Sequence, residues 1–178
     1  MSYNFESLNV GDSSVGKDLK VNFERLITDG KLSPDLAIAT VIATATASNN
    51  QELVAWATAH AEVAGLTHEL VQDSKEVAGI MGMLNMYYRF RHFLGEAANE
   101  YGPAGIRMTS LAKPAMGKEK FETLALAVSI INGCEQCVTS HEKALRNLGV
   151  SVDVLHDVAR LSSVVKGLEG YKNSQAKS

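Results

Sequence analysis

The sequence has 178 residues, of which 46% are apolar and 21% charged, and its formal net charge is −3. This composition is typical of one globular domain, and a mildly acidic chain without a basic cluster is not expected to bind nucleic acid or an anionic membrane surface. No apolar run approaches the roughly 20 residues of a membrane span, and no signal peptide is recognisable, so we expect a cytoplasmic protein without a membrane partner.

The pattern of apolar residues predicts an all-α, single-domain helical bundle, because no segment shows strand alternation between turn signals. Capping residues and glycine stops predict helices over residues 15–28, 35–47, 51–64, 67–73, 74–94, 118–131, 134–148 and 151–168. Residues 99–117 are predicted to form a connector with one turn of helix at 106–111. We expect residues 1–14 and 171–178 to be flexible ends of a domain over residues 15–170.

A pattern of nine residues occurs twice in the chain. Residues 65–73 and 149–157, at an offset of 84, share a glycine, an apolar residue, a capping hydroxyl, an acid, two further apolar residues and a final aspartate. Either an internal duplication or the common pattern of a helix stop followed by a cap accounts for this match. Under a duplication, the first copy lacks the chemical groups of the second. The offset then aligns Ile38, Asn50, Leu53 and Ala57 with Glu122, Cys134, Cys137 and His141.

The only two cysteines, Cys134 and Cys137, are three residues apart, and His141 follows four residues later. On a helix these three side chains share one face. Two thiols at this spacing can close a disulfide or supply half of a metal site, and the thiolate is the reactive form in both cases. Asn132 and Gly133 predict a new helix that begins near Cys134, where the free amides and helix dipole favour a thiolate.

The spacing places the His141 imidazole beside Cys137, because His141 lies about 10 Å along the helix axis from Cys134. We therefore expect His141 to accept a proton from Cys137. The position of Cys134 at the start of the helix predicts that it is the more accessible sulfur, at which exchange with another disulfide begins. In a reducing compartment, a lone CxxC favours catalysis or metal binding over a structural disulfide.

The segment from Glu122 through the cysteine pair to His141 resembles the alkylhydroperoxidase D proteins of the carboxymuconolactone decarboxylase-like superfamily. The resemblance covers about residues 17–168 and includes residues 81–89 (MGMLNMYYR) and 105–108 (GIRM). CxxC alone is a weak signal. CxxCxxxH preceded by Ile-Asn-Gly, with a glutamate twelve residues before the first cysteine, is much more specific. The resemblance implies an all-helical fold and a homotrimer, or an assembly built from trimers.

The resemblance also implies a thiol-dependent alkyl hydroperoxide reductase and disulfide oxidoreductase. In the family, the cysteine that matches Cys137 is oxidised to a sulfenic acid, and the one that matches Cys134 resolves it to a disulfide. The residues that match Glu122 and His141 relay a proton through a water. The resemblance implies that no cofactor is bound. It also implies that the external reductant is dihydrolipoamide on a lipoylated acyltransferase, and that the client is the partner peroxiredoxin of the alkyl hydroperoxide reductase system. Some relatives have a histidine where this chain has Gln136, so no step that needs a second imidazole is carried over.

Other interpretations of the same residues remain open. The cysteines can be buried structural thiols. Cys134, Cys137 and His141 can supply three ligands of a zinc site in a binding or structural module, but a structural site needs four, so Glu122 or another histidine has to complete it. Lactone decarboxylation, the reaction that names the superfamily, has no evident need for two thiols. Glu122 by itself is explained by the preference for acids near a helix start.

The long middle helix contains several residues with a structural explanation. Arg89 and Arg91 can hold a carboxylate, but an interhelix or surface role is the simpler interpretation. The methionine and tyrosine cluster predicts core or a subunit contact rather than a pocket; its members are Met81, Met83, Met86, Tyr87 and Tyr88. No role is assigned to His60, His68, His92 or His156.

Overall fold

The structure, a computed structural model, describes residues 3–8, 10–109 and 114–175. Within these residues it is a helical bundle without strands, which confirms the predicted all-α class. The helices are α1 (Ser14–Thr28), α2 (Pro34–Ala47), α3 (Gln51–Ala59), α4 (His68–Leu94), α5 (Lys118–Asn132), α6 (Glu135–Asn147) and α7 (Val152–Gln175). Short 3-10 helices occupy Phe5–Leu8 and Gly95–Glu100. None of the helices in these ranges is both long and apolar enough to cross a membrane.

Helices α2 and α5 form the centre of the bundle. Ten consecutive residues of α2, 36–45, are buried, and so are residues 123–129 of α5. The small side chains of α2 allow it to pack against α3, α4, α5 and α7. The buried hydroxyls of Thr40 and Thr44 donate to Leu36 O and Thr40 O, at 2.7 and 2.6 Å, so that these polar groups are satisfied inside the core.

The predicted break in the long middle helix is wrong. Ser74 does not cap a new helix, and α4 continues without interruption from His68 to Leu94. The Ser74 hydroxyl donates to Leu70 O at 2.7 Å, one turn earlier in the same helix. A serine can satisfy its hydroxyl in this way inside a helix as well as at a cap, and the sequence pattern alone does not distinguish the two.

Two helix ends also differ from the prediction. α3 ends at Ala59 rather than at residue 64, and residues 60–65 form turns. α7 continues to Gln175, beyond the predicted end at Leu168. Of the predicted helical turn at 106–111, residues 106–108 are not helical, and residues 110 and 111 lie outside the described part of the chain.

The described residues before α1 lie against the bundle. Leu8 and Val10 are buried, and the Nε1 atom of Trp56 donates to Asn4 O at 2.8 Å. The division of the chain into flexible ends and a domain over residues 15–170 stays a prediction.

The offset of 84 residues that the sequence shows recurs in the helices. α2, α3 and α4 begin at residues 34, 51 and 68, and α5, α6 and α7 begin at residues 118, 135 and 152. The turns before α3 and α6 also match, because Asn49 and Gly133 both have a positive φ, of 58° and 64°. After each of them, Asn50 N donates to Ala45 O and Cys134 N to Ser129 O. The bundle therefore contains one three-helix unit twice, as expected from an internal duplication.

Candidate active site

The cysteine pair lies at a tight turn between α5 and α6. Gly133 has φ 64° and ψ 39°, the left-handed conformation that residues with a Cβ disfavour. The N–H groups of Gly133 and Cys134 donate to Ile130 O and Ser129 O, both at 3.1 Å, and so satisfy the end of α5. The chain reverses at this turn, and α6 packs back against α5.

Cys134 and Cys137 form a disulfide, with their Cα atoms 5.3 Å apart. Cys134 is the N-cap residue of α6 and Cys137 lies in its first turn, which confirms the predicted helix start. The prediction that Cys134 is the more accessible sulfur is wrong. Cys134 is 1% exposed and Cys137 7%, and it is Cys137 that lines a cavity. The reason is the reversal at Gly133, which places the N-cap residue inside the junction of α5 and α6.

The start of α6 differs from its repeat at α3 in one hydrogen bond. At α3, the Oδ1 atom of Asn50 accepts the amide N–H of Leu53 at 3.1 Å. At α6, Cys134 forms no side-chain cap bond, and its sulfur is bonded to Cys137 instead. The first amides of a helix have no acceptor within it. The Cys137 amide, which corresponds to that of Leu53, therefore remains available to a nearby negative charge, and this favours a thiolate over a thiol.

Glu122 on α5 and His141 on α6 form a hydrogen-bonded pair. The Nδ1 atom of His141 lies 2.7 Å from Oε2 of Glu122, and each side chain is 17% exposed. Because a carboxylate only accepts hydrogen bonds, Nδ1–H is the donor, and Nε2 of the neutral ring keeps its lone pair. Glu122 reaches His141 only because the chain reverses at Gly133. His141 lies one helical turn from Cys137 on the same face of α6.

Cys137, Glu122 and His141 line one cavity of about 400 Å³. Its remaining walls are largely apolar and come from α4, the connector after α4, α5 and α6. They are Met81, Leu84, Tyr88, Met108, Phe121, Gln136 and Ser140. An apolar cavity with a few polar groups gathered at one side is the usual form of a binding site for a small organic molecule.

The sequence-based interpretation of the methionine and tyrosine cluster is confirmed for Met81, which is buried in the core. Met81 and Tyr88 also line the cavity, which the sequence did not predict, whereas Met83 and Met86 are 38% and 62% exposed. The spacing along the sequence distinguishes the residues that line the cavity from the exposed methionines. Met81, Leu84 and Tyr88 recur at intervals of three and four residues and so share one face of α4.

A partly buried hydrogen-bond network connects α4 to the turn before Cys134. Asn85 Nδ2 donates to Ser129 Oγ, and Asn132 Nδ2 donates to Asn85 Oδ1, both at 3.0 Å. Arg89 Nη1 donates to Asn132 O at 2.6 Å, which confirms an interhelix role for this arginine. A buried polar network with paired members holds its elements in one arrangement, and this one holds the turn that presents the cysteines.

A metal ion in a protein is usually held by several His, Cys, Asp or Glu side chains that lie close together. Among the described residues, no three His, Cys, Asp or Glu side chains are grouped so that they could hold a metal ion.

A larger cavity, of about 620 Å³, is lined by residues of α1 and α7, including Arg25 and Arg160. This larger cavity contains neither the cysteines nor the Glu122–His141 pair. The smaller cavity beside Cys137 is therefore the better candidate for the active site, despite its size.

The comparisons of this sequence with a family model and with individual known proteins agree with one another. A model of the carboxymuconolactone decarboxylase family matches residues 103–174, which include the cysteine pair, Glu122 and His141. The alkyl hydroperoxide reductase AhpD of Anaeromyxobacter dehalogenans strain 2CP-C is 42% identical over 149 residues, which cover 84% of this chain and 80% of the relative. The protein of the same name from Rhizorhabdus wittichii is 39% identical over 84% of this chain and 86% of the relative. The one from Rhodospirillum centenum is 33% identical over 96% and 91%.

Proposed function

The chain belongs to the alkyl hydroperoxide reductase AhpD family, and from this premise we propose that it is a thiol-dependent reductase of alkyl hydroperoxides. The observation that supports this function most is the placement of Cys137 and the Glu122–His141 pair around one largely apolar cavity. An organic hydroperoxide has the matching character, because it combines an apolar body with one polar, reactive O–O group.

The first step oxidises Cys137. In the reduced protein, His141 Nε2 accepts the proton of the Cys137 thiol, and Glu122 stabilises the imidazolium that forms. The thiolate attacks the terminal oxygen of the hydroperoxide and the O–O bond breaks. The alkoxide takes the proton back and leaves as an alcohol. Cys137 becomes a sulfenic acid, so the sulfur loses two electrons and the peroxide gains two.

The second step forms the disulfide. The Cys134 thiolate attacks the Cys137 sulfur, and hydroxide leaves and is protonated to water. The Cα separation of 5.3 Å lies in the range that a disulfide spans without backbone movement.

An external dithiol restores the two thiols by exchange, and it supplies two electrons and two protons. We propose dihydrolipoamide on a lipoylated acyltransferase as this reductant, and the partner peroxiredoxin of the alkyl hydroperoxide reductase system as the client; family membership supports both. Since Cys137 lines the cavity, both half-reactions enter at this sulfur. To test the proposed reductant, the oxidised protein is mixed with dihydrolipoamide and the appearance of free protein thiols is measured. A disulfide that stays oxidised would contradict dihydrolipoamide as the reductant.

We also propose that the protein assembles as a homotrimer or as a larger assembly of trimers. The support is an exposed apolar stripe on one face of α4, formed by Met83, Met86, Phe90 and Phe93, which are 38%, 62%, 44% and 78% exposed. A contiguous stripe of this kind is typical of a protein contact. Sedimentation equilibrium should give the trimer mass or a multiple of it for the wild type and a smaller mass for Phe93→Glu. A monomeric wild type would contradict the proposal.

Titration of free thiols tests the redox function directly. One equivalent of cumene hydroperoxide should remove both thiols of the reduced wild type. Cys134→Ser should retain a sulfenic acid at Cys137 that dimedone traps, and Cys137→Ser should not react. Survival of both thiols in the wild type would overturn the proposal.

Two further measurements separate the alternatives. Near-stoichiometric zinc in protein purified without chelator, lost together with the fold, would favour the metal-binding module. A lactone decarboxylase would keep its activity when both cysteines are replaced by serine, whereas the proposed peroxidase would lose all of it.

A further inference from the structure

A second cavity lies along α4 beside the cavity that contains Cys137. The second has a volume of about 300 Å³ and shares the side chains of Tyr88 and Gln136 with the first. On α4, Met81 and Tyr88 line the first cavity and Tyr88 and Arg91 the second, a spacing that keeps all three on one face of the helix. The two cavities adjoin at Tyr88 and Gln136, and together they follow about 15 Å of α4 from Met81 to Arg91; we call the pair the groove.

This groove changes from apolar to cationic along its length. Its first part is walled by apolar side chains such as Met81 and Phe121, and Cys137 lies in this part. Arg91 and His92 line the far part. His92 has an acidic neighbour, because its Nε2 atom lies 3.5 Å from Oε2 of Glu135. The positive charge that remains available in the groove is that of Arg91.

Arg91 is held in place by neutral groups. Its Nη2 donates to Ala98 O at 2.9 Å, and its Nη1 donates to Gly102 O at 3.0 Å and to the Tyr87 hydroxyl at 3.3 Å. Within the described residues no carboxylate pairs with it. A guanidinium has five N–H donors, so Nε–H and one Nη2–H are still available. A half-buried, fixed guanidinium without an acidic partner is suited to bind a carboxylate.

We propose that the substrates best fitted to this groove are long-chain hydroperoxides with a terminal carboxylate, the class of fatty acid hydroperoxides. The carboxylate binds Arg91, the mid-chain peroxide lies at Cys137, and the distal apolar chain lies against Met81 and Phe121. Gln136, in the first turn of α6, lines both parts, and the positive end of that helix lies in the same region. This inference rests on the proposed peroxidase function and names its substrate class.

Comparison of a fatty acid hydroperoxide with its methyl ester tests the carboxylate contact without changing the protein. Reduced protein is mixed with 9-hydroperoxyoctadecadienoic acid, whose peroxide is at mid-chain, or with its methyl ester, below their critical micelle concentrations and without added dithiol. Thiol loss is followed over a single turnover. Because no reductant is present, docking of the reductant does not affect the result. We expect the wild type to react with the acid about tenfold faster than with the ester, the effect of one charge-assisted hydrogen bond.

Arginine variants separate charge recognition from structural damage. Arg91→Gln should bring the ratio of the rates for the acid and the ester close to one. Arg91→Lys should give an intermediate ratio, because lysine keeps the positive charge but not the planar, two-donor geometry of the guanidinium. Arg25→Gln, a matched change in the cavity between α1 and α7, should leave the ratio unchanged. Structural damage from the loss of the Ala98 and Gly102 contacts would slow both substrates and leave the ratio unaffected.

A ratio near one in the wild type, or the same ratio in Arg91→Gln, would overturn the inference. If cumene hydroperoxide still reacts in that case, the proposed peroxidase function stands and only the substrate class fails. If no hydroperoxide reacts with the wild type, the peroxidase function itself fails. Calorimetric binding of the corresponding hydroxy fatty acid and its methyl ester then tests the site independently: tighter binding of the acid, lost in Arg91→Gln, supports it, and equal binding overturns it.

Discussion

The Nδ1 atom of His141 on α6 lies 2.7 Å from the Oε2 atom of Glu122 on α5, although the two residues belong to different helices on either side of a sharp reversal. This contact fixes the tautomer of the imidazole and leaves Nε2 as the free acceptor. The base is therefore oriented before any substrate binds.

Loss of the base should slow peroxide reduction. His141→Phe is expected to lower the rate by roughly 10² or more, the usual contribution of a general base. Glu122→Gln keeps an acceptor for Nδ1–H but removes the charge that stabilises the imidazolium, so we expect a smaller loss. Stopped-flow measurement of thiol oxidation by cumene hydroperoxide gives both rates. Glu119→Gln, an exposed acid on the same helix, is the control, and an unchanged rate in His141→Phe would remove His141 from the mechanism.

A capping residue in place of Cys134 should stabilise the start of α6 but remove the redox-active disulfide. Cys134 has φ −96° and ψ 93°, close to the −91° and 81° of its repeat Asn50, whose side chain caps α3. Cys134→Asn should therefore raise the free energy of unfolding by about 1 kcal/mol relative to Cys134→Ala. Urea denaturation of both variants under reducing conditions measures the difference, and neither variant should form the disulfide. Equal stabilities would show that the introduced asparagine side chain does not cap α6.

The left-handed backbone at Gly133 should disfavour alanine. Because φ is 64° there, Gly133→Ala is expected to destabilise the protein by about 1–2 kcal/mol and to slow disulfide formation after oxidation. Gly170→Ala is the control, because Gly170 lies inside α7 and a Cβ there would meet no other atom within 4 Å. This change should raise the free energy of unfolding by about 0.5–1 kcal/mol. Thermal unfolding of both variants checks the prediction, which fails if Gly133→Ala is as stable as the wild type.

The ion pair between Asp35 and Lys120 should make stability depend on pH. Burial by itself raises the pKa of Asp35, but hydrogen bonds from Lys120 and Ser33, at 2.7 and 2.6 Å, together with the Lys120 charge, outweigh this and hold the pKa below its ordinary value. A pKa that is lower in the folded than in the unfolded state contributes stability above the ordinary value, and this contribution is lost as the pH falls through the folded value.

Comparison of the wild type with Asp35→Asn tests this linkage. The difference in their free energies of unfolding should be constant near pH 7 and should shrink as the pH falls below about 4. Lys120→Met, which removes the main hydrogen-bond partner, should reduce the pH dependence that Asp35 contributes. A difference that does not change with pH would contradict the role of this carboxylate.

Local features of the chain were readable from the sequence because their causes are local. Cys134, Cys137 and His141 share a face as a consequence of helical spacing, and the start of α6 follows from Asn132 and Gly133 being poor helix residues. The repeat at an offset of 84 was visible for the same reason, since caps and stops recur at each helix start. The exceptions were residues such as Ser74, whose hydroxyl can be satisfied either at a cap or inside a helix.

Only the tertiary structure decided which side chains meet. The distance between Glu122 and His141, the burial of Cys134 and the exposure of Cys137 to the cavity all depend on how α6 packs back against α5. The face of α4 that lines the groove, from Met81 to Arg91, depends in turn on how α4 packs against both helices. Sequence spacing determines the angle between two residues on one helix, but the angle and separation between helices are determined by packing of the whole core, to which residues far apart in the chain contribute.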